Sequence, residues 1–445
     1  MKSIAFLRAS FVVGLALISV PGELSGTTQE ESAHSNQVLE WNQILIDTLI
    51  ATSTPNSSSQ RLGAIVQTAV FDALNGIDRR YTPIFVQSRA PRGASRRAAV
   101  ITAAHTALLG LFPSQQAVLD AHYSGSIEAL IAHCRNRGES NWRSQACETR
   151  IERGIEWGTE VAQAVLAWRA ADGFTASYPA FTGGSSLGQW RPTPPAFGPM
   201  SAQGLAFTEM FALVSNTQFQ PGPPRALTTV EYTDDFNAVK ALGRKTNSTR
   251  TEDQTTLAPF WEGNASVHWN QAANQIARRH HLSMAASNRL LAVLNIAMAD
   301  TAFTIWSAKR FYGSLPTEVT WRPVTAIPLG DSDGNPDTDP DADWLPLVNT
   351  PSHPEYPAGH PSLNGAAATV LRSYFSDRQT FTLTTGTSSR TYTSIRQARA
   401  DGNNARVWGG MHYPSTVAIS DEVGEAIARY VNRRSMRPIS RVASQ

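Results

Sequence analysis

Apolar residues recur at intervals of three and four along most of this chain, and this helical spacing is the feature that most constrains its fold. One such stripe runs through Leu62, Ile65, Val66, Ala69, Val70 and Leu74. Similar stripes occupy much of residues 38–171 and return between residues 229 and 310. The alternation of apolar and polar residues that marks a half-buried strand is scarce. The sequence therefore predicts an all-α fold.

Composition divides the chain into four parts. Residues 1–25 join basic residues to a short apolar run, the pattern of a secretory signal peptide, with an uncleaved anchor as the alternative. Helical patterning fills residues 26–171 and 228–445, on either side of a Pro- and Gly-rich connection at residues 172–227. The connection either lies over a site, through residues 190–192, or forms a surface crossover. We expect a secreted or periplasmic protein of two packed helical bundles, with no membrane span after the signal.

The two cysteines of the chain, Cys134 and Cys147, are separated by a polar stretch. In an oxidising compartment such a pair is expected to form a disulfide, and two free thiols are the alternative. No second pair of cysteines is present to complete a structural metal site.

Other ligand classes find little support in the sequence. A net charge of +2, without a Lys/Arg block interleaved with aromatic residues, argues against nucleic acid. The acidic stretch from Asp331 to Asp339 imitates the start of a calcium loop, but its twelfth position is Ala342 rather than the glutamate of an EF-hand. We therefore predict no calcium site.

Residues 353–361, which read HPEYPAGHP, are the strongest candidate for a functional site. Proline is favoured at the first position of a helix, so Pro361 predicts that a helix begins there. Gly359 and His360 then lie at the positive end of this helix, where free backbone N–H groups favour an anion. The stretch predicts half of an oxyanion site.

The other half of this site is expected to be cationic. Lys309 and Arg322 lie upstream of the motif, and Arg406 lies downstream, six residues before His412. Arginine binds two oxygens of an oxyanion, lysine supplies a point charge, and a histidine can bind the central atom. The order and confinement of these residues predict one oxyanion site in the C-terminal bundle.

This order of motifs resembles the type 2 phosphatidic acid phosphatase and vanadium-dependent haloperoxidase superfamily, and in particular its soluble haloperoxidase branch. The resemblance implies that Lys309, Arg322 and Arg406 hold the equatorial oxygens of vanadate or phosphate. It implies that the backbone N–H of Gly359 also binds this oxyanion. The part of the chain from residue 228 to 445 would then be the phosphatase- or haloperoxidase-like domain.

The resemblance also assigns the three histidines. His360 would act as the acid or base, and His412 would bind vanadium or attack phosphorus. His353 stands where bromoperoxidases of the family tend to have histidine, which makes it the candidate halide-site residue and favours bromide.

Three positions depart from the family pattern. Ala358 and Ala405 replace serines, and the first of these removes a hydroxyl donor to the oxyanion. Thr416 stands where many phosphatases of the superfamily have the aspartate that orients the second histidine. The cations that would bind the anion are all present.

The resemblance implies a vanadate-dependent haloperoxidase that uses hydrogen peroxide to oxidise a halide, and the oxidised halide then attacks a small organic acceptor. Vanadate and phosphate share shape and charge, so an acid phosphatase with a phosphohistidine intermediate at His412, acting on a phosphomonoester, is the first alternative. A degenerate protein that binds phosphate or vanadate without catalysis is the second, and Ala358 is the residue that favours it.

Overall fold

The computed structural model describes residues 36–136 and 141–439, and thirteen α-helices make up most of this part of the chain. The helices are α1 Gln37–Ala51, α2 Asn56–Asp78, α3 Arg96–Leu111, α4 Gln116–Asn136, α5 Asn141–Ala170, α6 Val230–Leu242, α7 Glu252–Phe260, α8 Ala265–Arg279, α9 Met284–Ser314, α10 Pro323–Ala326, α11 Gly359–Tyr374, α12 Ile395–Trp408 and α13 Pro414–Arg434. Strands β1 Phe381–Thr385 and β2 Ser388–Tyr392 form an antiparallel hairpin. The all-α prediction is confirmed. The predicted signal peptide lies outside the described residues.

The first bundle contains α1 to α5, with α3 packed against both α2 and α5. Glycines allow the close approach of α5 to α3. A Cβ on Gly158 would lie 2.5 Å from the carbonyl oxygen of Ala99, and a Cβ on Gly154 would lie 2.6 Å from that of Ser95. Such distances exclude any side chain, so both positions require glycine for this packing. Cys134 of α4 and Cys147 of α5 are joined by a disulfide that links the ends of these two helices.

Helix α9 is the central element of the fold, because it packs against α2 of the first bundle and against α11 and α13 of the second. Its length and composition would allow it to cross a membrane, with a mean hydropathy of 1.5 over 18 residues. However, 94% of this apolar window is buried by the rest of the chain. The helix therefore places its apolar side chains in the protein core.

The second bundle is centred on α9, α11 and α13. A Cβ on Gly424 of α13 would overlap the carbonyl oxygen of Ser362 in α11, so glycine again sets the distance between two helices. The hairpin β1–β2, which the sequence pattern does not predict, lies beside α8. The Gln275 side chain of α8 accepts from the backbone N–H of Thr382 and donates to the carbonyl oxygen of the same residue.

The connection between the bundles packs against the second bundle. The fully buried carboxylate of Asp300 in α9 accepts hydrogen bonds from the backbone N–H groups of residues 211–213 at 2.8–2.9 Å. The indole of Trp306 donates to the carbonyl oxygen of Ser201, and the hydroxyl of Tyr356 donates to that of Gly222. The connection is therefore held by the elements that carry the predicted site.

Two helix starts differ from the predicted ones. Helix α11 begins at Gly359, so Pro361 is its third residue rather than its first. Helix α13 begins at Pro414, and Ser415, the expected N-cap, instead donates its backbone N–H and hydroxyl to the Asp235 carboxylate. The first shift leaves the N–H groups of Gly359 and His360 in the first turn, where they have no partner within the helix.

Candidate active site

The residues of the predicted site come from five parts of the second bundle. Lys309 lies near the end of α9 and Arg322 directly before α10, Gly359 and His360 begin α11, Arg406 is near the end of α12, and His412 lies between α12 and α13. The three cations and His412 are at most 1% exposed. The structure thus brings together groups that are separated by up to 103 positions in the sequence.

Arg322 links the segment before α11 to the segment before α13. Its Nε donates to the carbonyl oxygen of His353 at 2.9 Å, and its Nη2 lies 2.8 Å from Nδ1 of the same residue. Its Nη1 donates to the carbonyl oxygen of Met411 at 2.8 Å and lies 3.1 Å from Nε2 of His412. Burial lowers the pKa of Arg322 to about 9, but the guanidinium remains charged at neutral pH. Arginine therefore fixes the orientation of both histidines.

Lys309 is fully buried, and its ammonium group donates to the carbonyl oxygens of Pro354 and Glu355. Burial lowers its pKa well below the usual value, and the nearby Arg322 and Arg406 lower it further. The three predicted cations are thus buried close enough to repel one another. A negative ligand between them would relieve this repulsion.

Arg406 is the cation with free hydrogen-bonding capacity. Its Nη2 donates to the sulfur of Met411 at 3.0 Å. Its Nε and Nη1 are buried and have no hydrogen-bond partner among the described residues. Buried donors of this kind are rare because an unmade hydrogen bond is costly. The donor set of Arg406 therefore fits an oxyanion such as vanadate or phosphate.

His412 contacts a carboxylate that the sequence analysis did not identify. Its Nδ1 lies 2.9 Å from Oε1 of Glu355, which is 1% exposed. Burial lowers the pKa of His412 well below its usual value, and Arg322, Lys309 and Arg406 lower it further. The imidazole is therefore neutral at physiological pH. A neutral imidazole is the form that binds a metal or attacks an electrophile.

Glu355 is held by two further donors from the segment that follows His412. The backbone N–H of Tyr413 donates to Oε1 at 3.1 Å, and the hydroxyl of Thr416 donates to Oε2 at 3.0 Å. Burial raises the pKa of Glu355 to about 7, while Arg322, Lys309 and these hydrogen bonds oppose the rise. The one sequence signal for this residue is its position inside the motif of residues 353–361.

His360 lies on the solvent side of the site, since it is partly exposed whereas the cations are not. Its Nε2 is 3.2 Å from the carbonyl oxygen of Gly263. Burial of the ring lowers its pKa well below the usual value, and Arg406 lowers it further. His360 is therefore a neutral ring, and its Nε2 also lies 3.5 Å from Nδ2 of Asn56.

The remaining predicted residue, His353, lies against Trp306 of α9. The two ring centroids are 5.3 Å apart, and a Cβ on Gly359 would lie 3.3 Å from the same indole. His353 accepts from Arg322 at Nδ1, and burial together with the positive charges of Lys309 and Arg322 lowers its pKa well below the usual value. The neutral imidazole ring of His353 therefore lies beside the indole of Trp306.

A metal cation would need a cluster of ligand side chains different from that of the oxyanion site. Within residues 36–136 and 141–439, no group of three or more His, Cys, Asp or Glu side chains is arranged to hold a metal ion. In the acidic loop, the carboxylate of Asp333 accepts hydrogen bonds from the Thr338 hydroxyl and from the backbone N–H of Asn335. These local contacts account for the buried carboxylate of the loop.

Comparison with known proteins relates the C-terminal part of the chain to a known family. Residues 289–441 match the family model described as the VCPO second helical-bundle domain. This segment contains Lys309, Arg322, His360, Arg406 and His412. A comparison with curated protein sequences finds no match.

Solved structures share the fold over nearly the whole chain. A bacterial vanadium-dependent iodoperoxidase aligns with a TM-score of 0.71 and 21% identity, covering 94% of this chain and 99% of its own. The apo form of a bacterial vanadium-dependent chloroperoxidase aligns with a TM-score of 0.66 and 17% identity, covering 85% and 92%. The holo form of a bacterial vanadium-dependent chloroperoxidase aligns with a TM-score of 0.63 and 16% identity, covering 91% of this chain and 95% of its own. The match of residues 289–441 to the family model confirms the resemblance to the phosphatase and haloperoxidase superfamily, and the solved structures confirm the fold.

Proposed function

We propose that this protein is a vanadate-dependent haloperoxidase that oxidises a halide, preferably bromide, with hydrogen peroxide. The observation that carries the proposal is a pair of buried nitrogen donors on Arg406 that have no partner within residues 36–136 and 141–439, in a site that also holds Lys309, Arg322 and a neutral His412. Such a site costs stability when empty and needs an anion to complete it. The structural neighbours named above are haloperoxidases, which supports this choice of anion.

The residues fit vanadate in the following way. Lys309, Arg322 and Arg406 would neutralise its oxygens, the N–H of Gly359 at the start of α11 would add a backbone donor, and Nε2 of His412 would bind the vanadium. When bound, vanadate supplies a Lewis-acidic centre at which peroxide becomes able to transfer oxygen to a halide. Preorganised cations in a buried site act more strongly than in water, because solvent does not screen them.

His360 would accept the proton that hydrogen peroxide loses. The contact of Nε2 with the Gly263 carbonyl oxygen favours the tautomer protonated at Nε2, in which Nδ1 would accept the proton. Its position at the solvent side would allow the proton to leave to water. The lowered pKa makes His360 a base that releases its proton readily at neutral pH.

His353 and Trp306 would form the wall next to which the halide is oxidised. A neutral, polarisable surface next to three cations suits a large, weakly hydrated anion. The preference for bromide comes from the resemblance of His353 to the histidine of bromoperoxidases, and a small organic molecule would take up the oxidised halide.

An acid phosphatase is the second candidate. The observation in its favour is that Nδ1 of His412 faces Glu355, which leaves Nε2 able to attack a phosphomonoester. The same three cations would hold the phosphoryl oxygens. We further propose that the protein is secreted or periplasmic, which the N-terminal pattern and the disulfide between Cys134 and Cys147 support.

The two activities are separated by one comparison. Protein stripped of vanadate is assayed with and without orthovanadate, for bromide-dependent peroxidase activity and for hydrolysis of a phosphomonoester. We expect peroxidase activity that depends on orthovanadate, and inhibition of any phosphatase activity by the same anion. Phosphatase activity alone would favour the second candidate, and orthovanadate binding without either activity would indicate a degenerate binding protein.

The variant His412→Ala tests the site assignment. It should abolish either activity and leave the far-UV circular dichroism unchanged, because the ring lies in a loop between helices. The control is His280→Ala, which removes an exposed histidine. The ring of His280 contacts the side chain of Gln379, a residue distant in the sequence. Activity in His412→Ala at the level of this control would contradict the assignment.

A further inference from the structure

The geometry points to Glu355 as the positioning residue that sets the tautomer of His412, with Thr416 as its anchor. This inference rests on the proposed function only in the identity of the anion. The resemblance places an orienting carboxylate at position 416 in many phosphatases, but this chain has threonine there. The structure supplies the carboxylate from the other side of the site, out of the motif that precedes α11.

Hydrogen-bond accounting fixes the proton of His412. A neutral imidazole carries one N–H donor and one acceptor nitrogen. Nη1 of Arg322, which is always a donor, lies 3.1 Å from Nε2, so Nε2 is the acceptor. Nδ1 must therefore carry the proton and donate it to Oε1 of Glu355 at 2.9 Å.

The other contacts of Glu355 are consistent with its accepting from His412. Oε1 also accepts from the backbone N–H of Tyr413 at 3.1 Å. Oε2 accepts the hydroxyl of Thr416 at 3.0 Å. Each oxygen of the carboxylate thus accepts from a donor in the observed conformation, without rotation of the Glu355 side chain. Glu355 is held rigidly and holds His412 in turn.

The tautomer of His412 decides what its Nε2 atom can do. With Nδ1–H bound to Glu355, Nε2 carries the lone pair; it accepts from Nη1 of Arg322 when no anion is bound and would be released to the anion when Arg322 turns to the anion's oxygens. A histidine with the opposite tautomer would present an N–H there and could neither bind vanadium nor attack phosphorus. Thr416 therefore does not replace the missing aspartate directly, but secures the glutamate that takes its place.

The test observes the proton directly, in protein without any anion. Nitrogen-15 NMR of the full chain labelled at histidine should show His412 with a protonated Nδ1 whose proton is shifted downfield and exchanges slowly; His412→Ala identifies the signal. In Glu355→Met this downfield Nδ1–H signal should be lost. Glu355→Gln should retain it with a smaller downfield shift, because an amide oxygen can accept from both His412 and Tyr413 but carries no charge.

Binding of orthovanadate gives the second readout. Removal of the partner of a metal-binding histidine typically weakens affinity about 10- to 100-fold, which we expect for Glu355→Met, with a smaller loss for Glu355→Gln. The control is Glu262→Gln, which removes a negative charge near Arg406 but does not touch His412 and should leave the Nδ1–H signal in place.

A wild-type spectrum with the proton of His412 on Nε2 would overturn the inference, whatever the variants do. So would an unchanged Nδ1–H signal in Glu355→Met. Because the spectra are recorded without anion, they stand even where the peroxidase and phosphatase assays both fail. Conversely, vanadate-dependent activity with the wrong tautomer would preserve the proposed function and refute the role of Glu355.

Discussion

Replacing Arg406 with methionine is expected to move stability and anion affinity in opposite directions. Two nitrogens of this guanidinium are buried without a hydrogen-bond partner in the part of the chain that the structure describes, and burial lowers its pKa to about 10. Each unsatisfied buried donor costs about 1–3 kcal/mol, and replacing a buried ion pair with apolar side chains of similar volume is often neutral or stabilises a protein by about 1–4 kcal/mol. We therefore expect Arg406→Met to be more stable than wild type without anion, by about 1–3 kcal/mol.

The effect on binding is the reverse. Two charge-assisted hydrogen bonds to an anion are worth about 1.5–3 kcal/mol each, so their loss should weaken orthovanadate binding roughly 10²- to 10⁴-fold. With orthovanadate at about 100 times the wild-type Kd, linkage raises the wild-type unfolding free energy by about 2.7 kcal/mol and that of the variant by at most about 0.4 kcal/mol. The advantage of the variant in thermal stability should therefore shrink or reverse when the anion is added.

Calorimetric titration with orthovanadate and thermal unfolding with and without it measure both effects. Arg396→Met is the matched control, because it removes the same charge from an exposed position of the same helix and should change stability by less than about 0.5 kcal/mol. Unchanged orthovanadate affinity in Arg406→Met would refute the placement of the anion. A variant that is less stable than wild type without anion would refute the idea that Arg406 is an unmatched charge.

Three further predictions concern other parts of the chain. Ala358→Ser should tighten orthovanadate binding roughly ten- to a hundredfold by calorimetry, because a hydroxyl next to Gly359 adds a donor worth about 1.5–3 kcal/mol; unchanged or weaker binding would place residue 358 away from the anion. Non-reducing mass spectrometry of exported protein should show Cys134 bonded to Cys147, and reduction should lower the unfolding free energy by about 3 kcal/mol, whereas free alkylatable thiols would contradict the pairing. Asp300→Ala should lower the thermal midpoint, since three backbone N–H groups, one buried and two partly buried, lose their acceptor at up to about 1–3 kcal/mol each; an unchanged midpoint would show that the connection does not depend on this carboxylate.

The sequence predicts what depends on local spacing and on residue chemistry. Helical periodicity identifies most helices to within a few residues, because one face of each is buried against a neighbour. The cations of the site can be recognised in the sequence because their order along the chain matches a family. Since Lys and Arg are seldom buried without a partner, finding them buried together supports a shared anionic ligand. Lys309, Arg322 and Arg406 are indeed buried together.

Contacts between distant segments are what the sequence does not reveal. Glu355 lies in a proline-rich turn, where a glutamate is typical of a solvated surface, and its partners His412 and Thr416 follow 57 and 61 positions later. Asp300 looks buried within an apolar helix, but its partners are backbone groups of an irregular segment that has no periodicity to read. The hairpin after α11 has strands of five residues each, too short for alternation to stand out.

The central claim is that the buried cations and His412 form one vanadate site. A crystal structure of the protein soaked with orthovanadate tests this most directly. We predict vanadium at bonding distance from Nε2 of His412, with its oxygens contacting Lys309, Arg322 and both free nitrogens of Arg406. Vanadate bound away from His412, or no bound vanadate at concentrations that saturate the site in calorimetry, would contradict the account.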